Sequence, residues 1–407
     1  MTTTETEVWR DYDVLVAGGG IAGVAAAVAA ARRGARTAVV EKTILTGGLA
    51  TTGLVLIYLP LSDARGRQVT FGLAEELLHR SLRYGPGDVP ADWSNPETPS
   101  RYRVDFSPAA FVLALDEVLA EAGVDLWLDT LICESIVEGN RVTGVEIENK
   151  SGRGALTARC VVDASGDADV AHRAGAPCAE QDNFLSMWAL GASLEAAGKA
   201  VAAGDGTDLL HRVILGGDNA GRGHPGKSPR YSGVRGREVT EFALESRRLL
   251  REYYIEAQAA AASAEGSPEG RKQVFPLTLP AMAQFRRTRR IEGQQDLVNG
   301  MMATHFDDCV GLVADWRGGK DVWEVPYGAL LPRRVTGLVT AGRCIAAAGE
   351  AWEVMRVIQA AALTGEVAGL AAAESVRLDT TPDLLDVSAL QQQLAERGFA
   401  LDVGQLD

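Results

Sequence analysis

Near the start of the chain stands Gly18-Gly19-Gly20-Ile21-Ala22-Gly23, a G-x-G-x-x-G where a short apolar run, Tyr12 to Ala17, gives way to an alanine-rich stretch, Ile21 to Arg33. That order reads as strand, tight turn and helix. In such a turn the first glycine permits the bend and the second lets a phosphate approach the backbone. The third lets helix and strand pack closely, with the helix N-terminus facing the phosphates. A second apolar run, Thr37 to Val40, ends in Glu41, 18 residues past Gly23, where an acid can accept both ribose hydroxyls of an adenosine. The chemistry implied is dinucleotide binding. A bare glycine turn would explain the three glycines but not the strand, the small-residue helix and the acid that accompany them.

FAD and NAD both satisfy this fingerprint, and three further segments bear on the choice. Thr46-Gly47-Gly48-Leu49-Ala50-Thr51-Thr52-Gly53 follows the acid, Ala164-Ser165-Gly166-Asp167 ends a later strand, and Ala341-Gly342-Arg343 ends the last one. In this order they resemble the FAD-dependent oxidoreductases of the glutathione reductase-like fold. The stretches GRQVTFGLAEELL, FSPAAFVLALDEVLAEAGVDL, ENKSGRG, VVDASGDADVAHRAGAP, RRTRRIEG and LVTAGRCIAAAGEAWEVMRVIQAAALTGEVAG resemble a bacterial family of FAD-dependent oxidoreductases. They cover most of residues 10–180 and 280–375.

The resemblance implies a role for each matching position. Gly18, Gly20, Ile21, Ala22 and Gly23 would meet the pyrophosphate, and Glu41 with Lys42 the adenosine ribose. The Leu131-Ile132 backbone would lie near adenine. Gly48, Leu49 and Ala50 would run beside the ribityl chain and flavin. Ala164, Gly166 and Asp167 would lie near the adenosine and pyrophosphate, and Gly342 and Arg343 near the pyrophosphate or ribityl region. Arg356, Val357 and Ile358 match the start of the last helix, whose amides face the flavin N1/O2 edge. Relatives that reduce disulfides carry a cysteine pair after Gly-Gly, and residues 47–59 contain none. A second strand-G-x-G-x-x-G-helix unit for NADPH is also missing from the sequence, so oxygen or another electron acceptor is left to reoxidise the flavin.

The elements that must hold these residues follow from local signals. Residues 72–84 have helical spacing, and 85–100, rich in Pro, Gly, Asp and Ser, read as a surface loop. Ser107-Pro108 supplies an N-cap and first-turn proline for a helix to about Ala122, with Gly123 as its stop. A third parallel strand is expected at Val124 to Leu128. An antiparallel meander is expected between Ile132 and Arg159, then a separate strand from Cys160 to Asp163. A helix is expected near 238–263, a strand at Gly337 to Ala341, and one long helix over 353–374. The fold class expected is α/β: a Rossmann-like FAD-binding domain, parallel sheet plus antiparallel meander, with an inserted mixed α+β substrate domain. The FAD-binding domain is placed at residues 1–180 and 333–407, and the substrate or cap domain at 181–332.

Composition bounds the partners. The 407 residues carry 54 acidic and 40 basic side chains, a formal charge of -14, which repels a phosphate backbone and disfavours nucleic acid. The five cysteines show no C-x-x-C or metal-ligand spacing, and neither a metal site nor a disulfide is expected. No apolar run is long enough to cross a bilayer and the polar start lacks signal-peptide order, so a cytoplasmic, non-membrane protein is expected, with a homodimer one option.

Flavin chemistry asks the protein chiefly to orient a bond over the ring and to manage a proton and charge. His305 and Tyr231 are read as acid–base candidates, and Arg286, Arg289 and Arg230 as anchors for a carboxylate. Trp188, Trp316, Trp323 and Trp352 are read either as pocket walls or as core. Cys344, just after Gly342-Arg343, is read as a small buried residue and the FAD as non-covalent. The function expected is hydride transfer between a small organic substrate and flavin N5, of dehydrogenase or oxidase type. Flavin-dependent monooxygenation is the enzymatic alternative, and a non-redox dinucleotide-binding or partner-docking protein the alternative of another class.

Overall fold

Strand β1 (Val8–Ala17) runs into helix α1 (Ile21–Arg32) and back into β2 (Thr37–Val40), parallel to β1. Hydrogen bonds between adjacent parallel strands require such a crossover, and the helix supplies it. In this computed structural model, residues 6–89, 103–218, 220–263, 269–318 and 321–406 are described. Part of the loop expected at 85–100 lies outside the described residues.

The main sheet has the order β5-β2-β1-β8-β7-β6, with β5 (Asp125–Trp127), β6 (Leu131–Glu138), β7 (Arg141–Asn149) and β8 (Gly152–Asp163). The strand expected at Cys160–Asp163 is not separate from the meander. β8 is one continuous strand: Gly152–Thr157 pairs antiparallel with β7, and Val161–Asp163 pairs parallel with β16 (Leu338–Thr340). The alternating polar residues of its first half and the apolar run of its second reflect these two environments. Helix α2 (Leu73–Ser81) lies in the chain between β3 (Ile57–Tyr58) and β4 (Val104–Asp105), which pair with each other. Helix α3 (Pro108–Ala122) keeps the signals read from sequence: Ser107 Oγ accepts from Ala110 N–H at 3.4 Å, and Gly123 closes it at φ 71°.

After the short α4 (Asp169–Arg173) and β9 (Cys178–Glu180), which pairs with β13 (Arg289–Ile291), a second sheet forms in the order β11-β10-β12. Its strands are β10 (Ser186–Ser193), β11 (Arg212–Gly216) and β12 (Val274–Thr278), with α5 (Leu194–Ala203) and the long α6 (Gly236–Ala262). Met187 and Ala189 pack with Leu250 and Tyr254 of α6 in a core of their own. A hairpin of β14 (Cys309–Ala314) and β15 (Val322–Pro326) returns the chain to the main core, where Val310, Trp323 and Tyr327 are buried.

The single helix expected over 353–374 is two. Helices α7 (Gly349–Met355) and α8 (Ile358–Arg377) meet at an angle of 83°, with Arg356 and Val357 at the corner. Helix α8 is buried from Gln359 to Val376 and lies against α1. A Cβ on Gly365 would come within 2.2 Å of Ala22 O, and one on Gly369 within 2.1 Å of Ala26 O. The alanine-rich α1 and these glycines therefore permit a backbone-to-backbone approach that larger side chains would prevent. Their contact brings the N-termini of α1 and α8 to the same region. Helix α9 (Val387–Ala395) closes the fold. Among the described residues no single helix is long and apolar enough to cross a membrane.

Candidate functional site

The turn after β1 uses its three glycines differently. Gly18 has φ +98°, and a Cβ there would lie 2.6 Å from Ala164 O on the neighbouring strand end. A Cβ on Gly23 would fall 1.8 Å from Gly18 O, so this glycine lets the helix close on the strand. At Gly20 a Cβ would meet nothing within 4 Å, because the position faces an open cleft. The first bond inside α1 runs from Val24 N–H to Gly20 O at 2.9 Å, leaving earlier amides without an intrahelical acceptor. No side chain caps this end. A cradle of this form fits an anionic diphosphate.

The same cleft is lined by Ile21, Ala22, Glu41, Lys42, Gly48, Leu49, Ala50, Ala164, Gly166, Gly342, Arg343, Arg356 and Ile358, all named from sequence. It is also lined by Thr43, Gly47, Thr52, Ser165, Met282, Ala341 and Ala361. Most of these flank motif residues, but Met282 comes from a segment without local pattern and had no sequence signal. Glu41 is buried; its Oε1 accepts from both Thr43 N–H and Thr43 Oγ1 at 2.9 Å, and its Oε2 from Gly19 N–H at 2.8 Å. Oε2 therefore retains acceptor capacity, while Oε1 is already occupied twice.

Five residues named with the cleft stand apart from its lining. Gly23 lies beneath the turn. Asp167 accepts from Thr288 Oγ1 at 2.7 Å and from Arg343 Nη2 at 3.2 Å. Val357 is the N-cap of α8. Leu131, 55% exposed, and Ile132 open β6 one residue beyond Thr130, whose N–H reaches Glu41 O at 3.1 Å.

A second cavity, of about 250 Å³, lies on the face of β10 and β11 opposite α6. Ser186 and Trp188 point to it from β10, and Ile214 and Gly216 from the paired positions of β11, joined by Asn183, Phe184, Gln284, Arg286 and Arg287. The segment 281–287 ties the two spaces together. Met282 lines the cleft, Ala281 N–H donates to Thr52 O at 2.8 Å, and Gln284 Oε1 accepts from Trp188 N–H at 2.7 Å. Arg287 lies 2.8 Å from Glu353, whose other oxygen takes Arg356 Nε at 3.0 Å. Burial, and then the neighbouring charges of Arg356 and Arg343, push the Arg286 guanidinium down to about 9, still a cation at neutral pH.

Other sequence candidates lie elsewhere. Tyr231 is 4% exposed, packed with Phe242 and Phe285 and bridged through its backbone to Asn183; it lines neither space. His305 is 59% exposed beside Glu324, and the pair raises its pKa above the usual value. It also lines neither space, so neither residue is placed for the acid–base work expected of it. Arg289 is taken by Asp169 and Glu180, and Arg230 stacks on Phe184, whose ring also borders the cavity. Of the tryptophans only Trp188 lines a pocket described here; Trp316, Trp323 and Trp352 donate to Glu353 O, Asp315 and Arg343 O respectively. Cys344 is buried, its thiol pushed well up by burial and Asp163, and its Sγ accepts from Gly166 N–H at 3.2 Å and Ala168 N–H at 3.3 Å.

Residues 13–185 and 217–394 match the family described as FAD dependent oxidoreductase. Among solved structures the chain is similar to p-nitrophenol 4-monooxygenase from Pseudomonas putida, at 15% identity and TM-score 0.51, covering 95% of this chain and 85% of that one. It is also similar to a geranylgeranyl bacteriochlorophyll reductase-like protein from Thermoplasma acidophilum, at 15% identity and TM-score 0.49, covering 96% and 84%. At such identities these likenesses are of fold. The phosphate cradle, the buried acid and the family match over most of the length agree: the chain belongs to the FAD-dependent oxidoreductase family, with FAD as its cofactor.

Proposed function

We propose that the protein moves a hydride between a small organic substrate, held on the β10–β11 face, and flavin N5 of non-covalently held FAD. Gly18, Gly20, Ile21, Ala22 and Gly23 form the pyrophosphate turn, and Glu41 with Lys42 holds the adenosine ribose. The Leu131-Ile132 backbone would border adenine, and Gly48 to Ala50 the ribityl chain and flavin. Ala164, Gly166, Gly342 and Arg343 close the cleft around the pyrophosphate, with Asp167 behind them holding Arg343. Bound FAD supplies two-electron redox chemistry at N5.

The observation that carries this reading is the convergence of two open helix N-termini, α1 and α8, on one cleft beside a separate cavity. At α8 the first bond to its N-cap is Ala361 N–H to Val357 O at 2.8 Å, so the earlier amides are available to an acceptor. They would stabilise negative charge on a bound flavin, and Arg356 at the corner would add charge of the same use. Arg356 is held by Glu353, so its position is fixed before any ligand arrives. Arg286 on the cavity side orients substrate. Reoxidation falls to oxygen or another external acceptor.

Anaerobic mixing of the FAD-loaded protein with a panel of small organic molecules tests the reading. Bleaching of the visible flavin absorbance by substrate alone is the expected result. Bleaching only by NAD(P)H, followed on aeration by an oxygenated product, would replace the dehydrogenase reading with hydroxylation.

A further inference from the structure

We propose that the substrate is a small carboxylate, its anionic end gripped by Arg286 and its apolar body lying against Trp188 and Ile214. The proposal rests on the reading that FAD fills the glycine-lined cleft and substrate the cavity beside it.

The cavity wall contains three guanidinium groups with different commitments. Arg222 Nε is 2.7 Å from Asp218 Oδ2, and Arg287 Nη1 is 2.8 Å from Glu353 Oε1. Arg286 has no carboxylate within ion-pair distance among the described residues. Its Nη1 donates to the Gln284 carbonyl at 3.3 Å, and its guanidinium lies 5.3 Å from the Trp188 ring centre. A partly buried cation with only one carbonyl partner is costly, and a ligand anion offsets that cost.

The pyrophosphate does not meet this need. Its cradle is the α1 turn, and the arginines lining that cleft are Arg343 and Arg356, whereas Arg286 lines the cavity. Arg343 is moreover joined to Asp167 and Arg356 to Glu353. The planar fork of a guanidinium matches a carboxylate with two parallel hydrogen bonds. Around it, Trp188 and Ile214 present apolar surface that the α6 core leaves uncovered, Ile214 being 51% exposed. About 250 Å³ is small for a ligand cavity and suits a compact molecule.

The test is titration of the FAD-loaded protein with benzoate and with its neutral isostere benzamide, read from the perturbation of the flavin absorbance and by calorimetry. Benzoate is expected to saturate, with benzamide at least about tenfold weaker, the value of one charge-assisted pair. Arg286→Met is expected to weaken benzoate by at least about tenfold and leave benzamide unchanged. Arg286→Lys, which keeps the charge and loses the fork, is expected to fall between.

Equal affinity for the two probes, no saturable benzoate response, or full-strength benzoate binding by Arg286→Met would overturn the proposal. If Arg286→Met fails to fold, the comparison of probes on the unmodified protein decides. A protein that takes up no FAD overturns the reading beneath the proposal, whereas one that holds FAD and ignores the charge on the probe overturns the proposal alone.

Discussion

Replacing Gly20 by valine should remove FAD binding while leaving the cofactor-free protein as stable as before, and replacing Gly23 by alanine should destabilise the protein directly. At Gly20 the backbone is extended, φ -68° and ψ 178°, which a β-branched residue adopts without strain, and a Cβ there meets nothing within 4 Å. The stability change expected is within ~0.5 kcal/mol. The side chain would instead occupy the space through which the pyrophosphate reaches the turn. Loss of two charge-assisted amide bonds costs about 3–6 kcal/mol, a weakening of more than about 100-fold. At Gly23 the new Cβ would stand 1.8 Å from Gly18 O, a backbone atom that cannot rotate away. Displacing helix from strand there costs about 1–3 kcal/mol or more with no ligand present. Thermal unfolding of the FAD-stripped proteins and titration with FAD, followed by flavin fluorescence, separate the two effects. Stoichiometric FAD in Gly20→Val, or equal destabilisation of the two stripped variants, would refute the division of labour among the glycines.

Arg356→Met should retain FAD yet lower its midpoint potential by about 30 mV, the equivalent of ~1.4 kcal/mol for two electrons, measured by dye-linked reduction. An unchanged potential would remove Arg356 from the flavin. His305→Gln should leave FAD content and turnover unchanged, because His305 lines neither the cleft nor the cavity. It should alter the pH dependence of stability, since Glu324 raises the His305 pKa above 6.5 on folding. The stabilisation it removes is complete below about pH 6.5, the unfolded value, and fades as pH rises through the higher folded value. Denaturant unfolding at several pH values reads this directly. Tyr231→Phe should keep FAD and turnover while lowering stability by no more than about 1.5 kcal/mol. Cys344 should react with thiol reagents only after unfolding, and acid should release all the FAD, as expected for a buried thiol in its protonated form.

The parts of the site legible in the sequence were those in which local spacing and geometry coincide. Gly18, Gly20 and Gly23 occupy fixed places in one turn, and Glu41 ends the adjacent strand. Ser107, Pro108 and Gly123 likewise mark the ends of α3 through short-range bonds. The bend at Arg356 and Val357 was not legible, since alanine-rich helical composition runs through it with neither proline nor glycine at the corner. At the corner Glu353 pairs with Arg287 from a distant segment as well as with the nearby Arg356, a long-range contact that local composition does not reveal. The fold distributes the arginines of Arg286-Arg287-Thr288-Arg289-Arg290. Arg287 goes to Glu353, Arg289 to Glu180 and Asp169, and Arg290 to Asp296, leaving Arg286 at the cavity. Residue type misled for Tyr231 and His305, because chemical competence says nothing of location.

The most direct measurement is the visible absorbance of the purified protein, with the cofactor released by acid and identified by chromatography. A yellow protein yielding one equivalent of FAD is the expected result. A colourless protein that takes up none when FAD is added would contradict the assignment of the cleft.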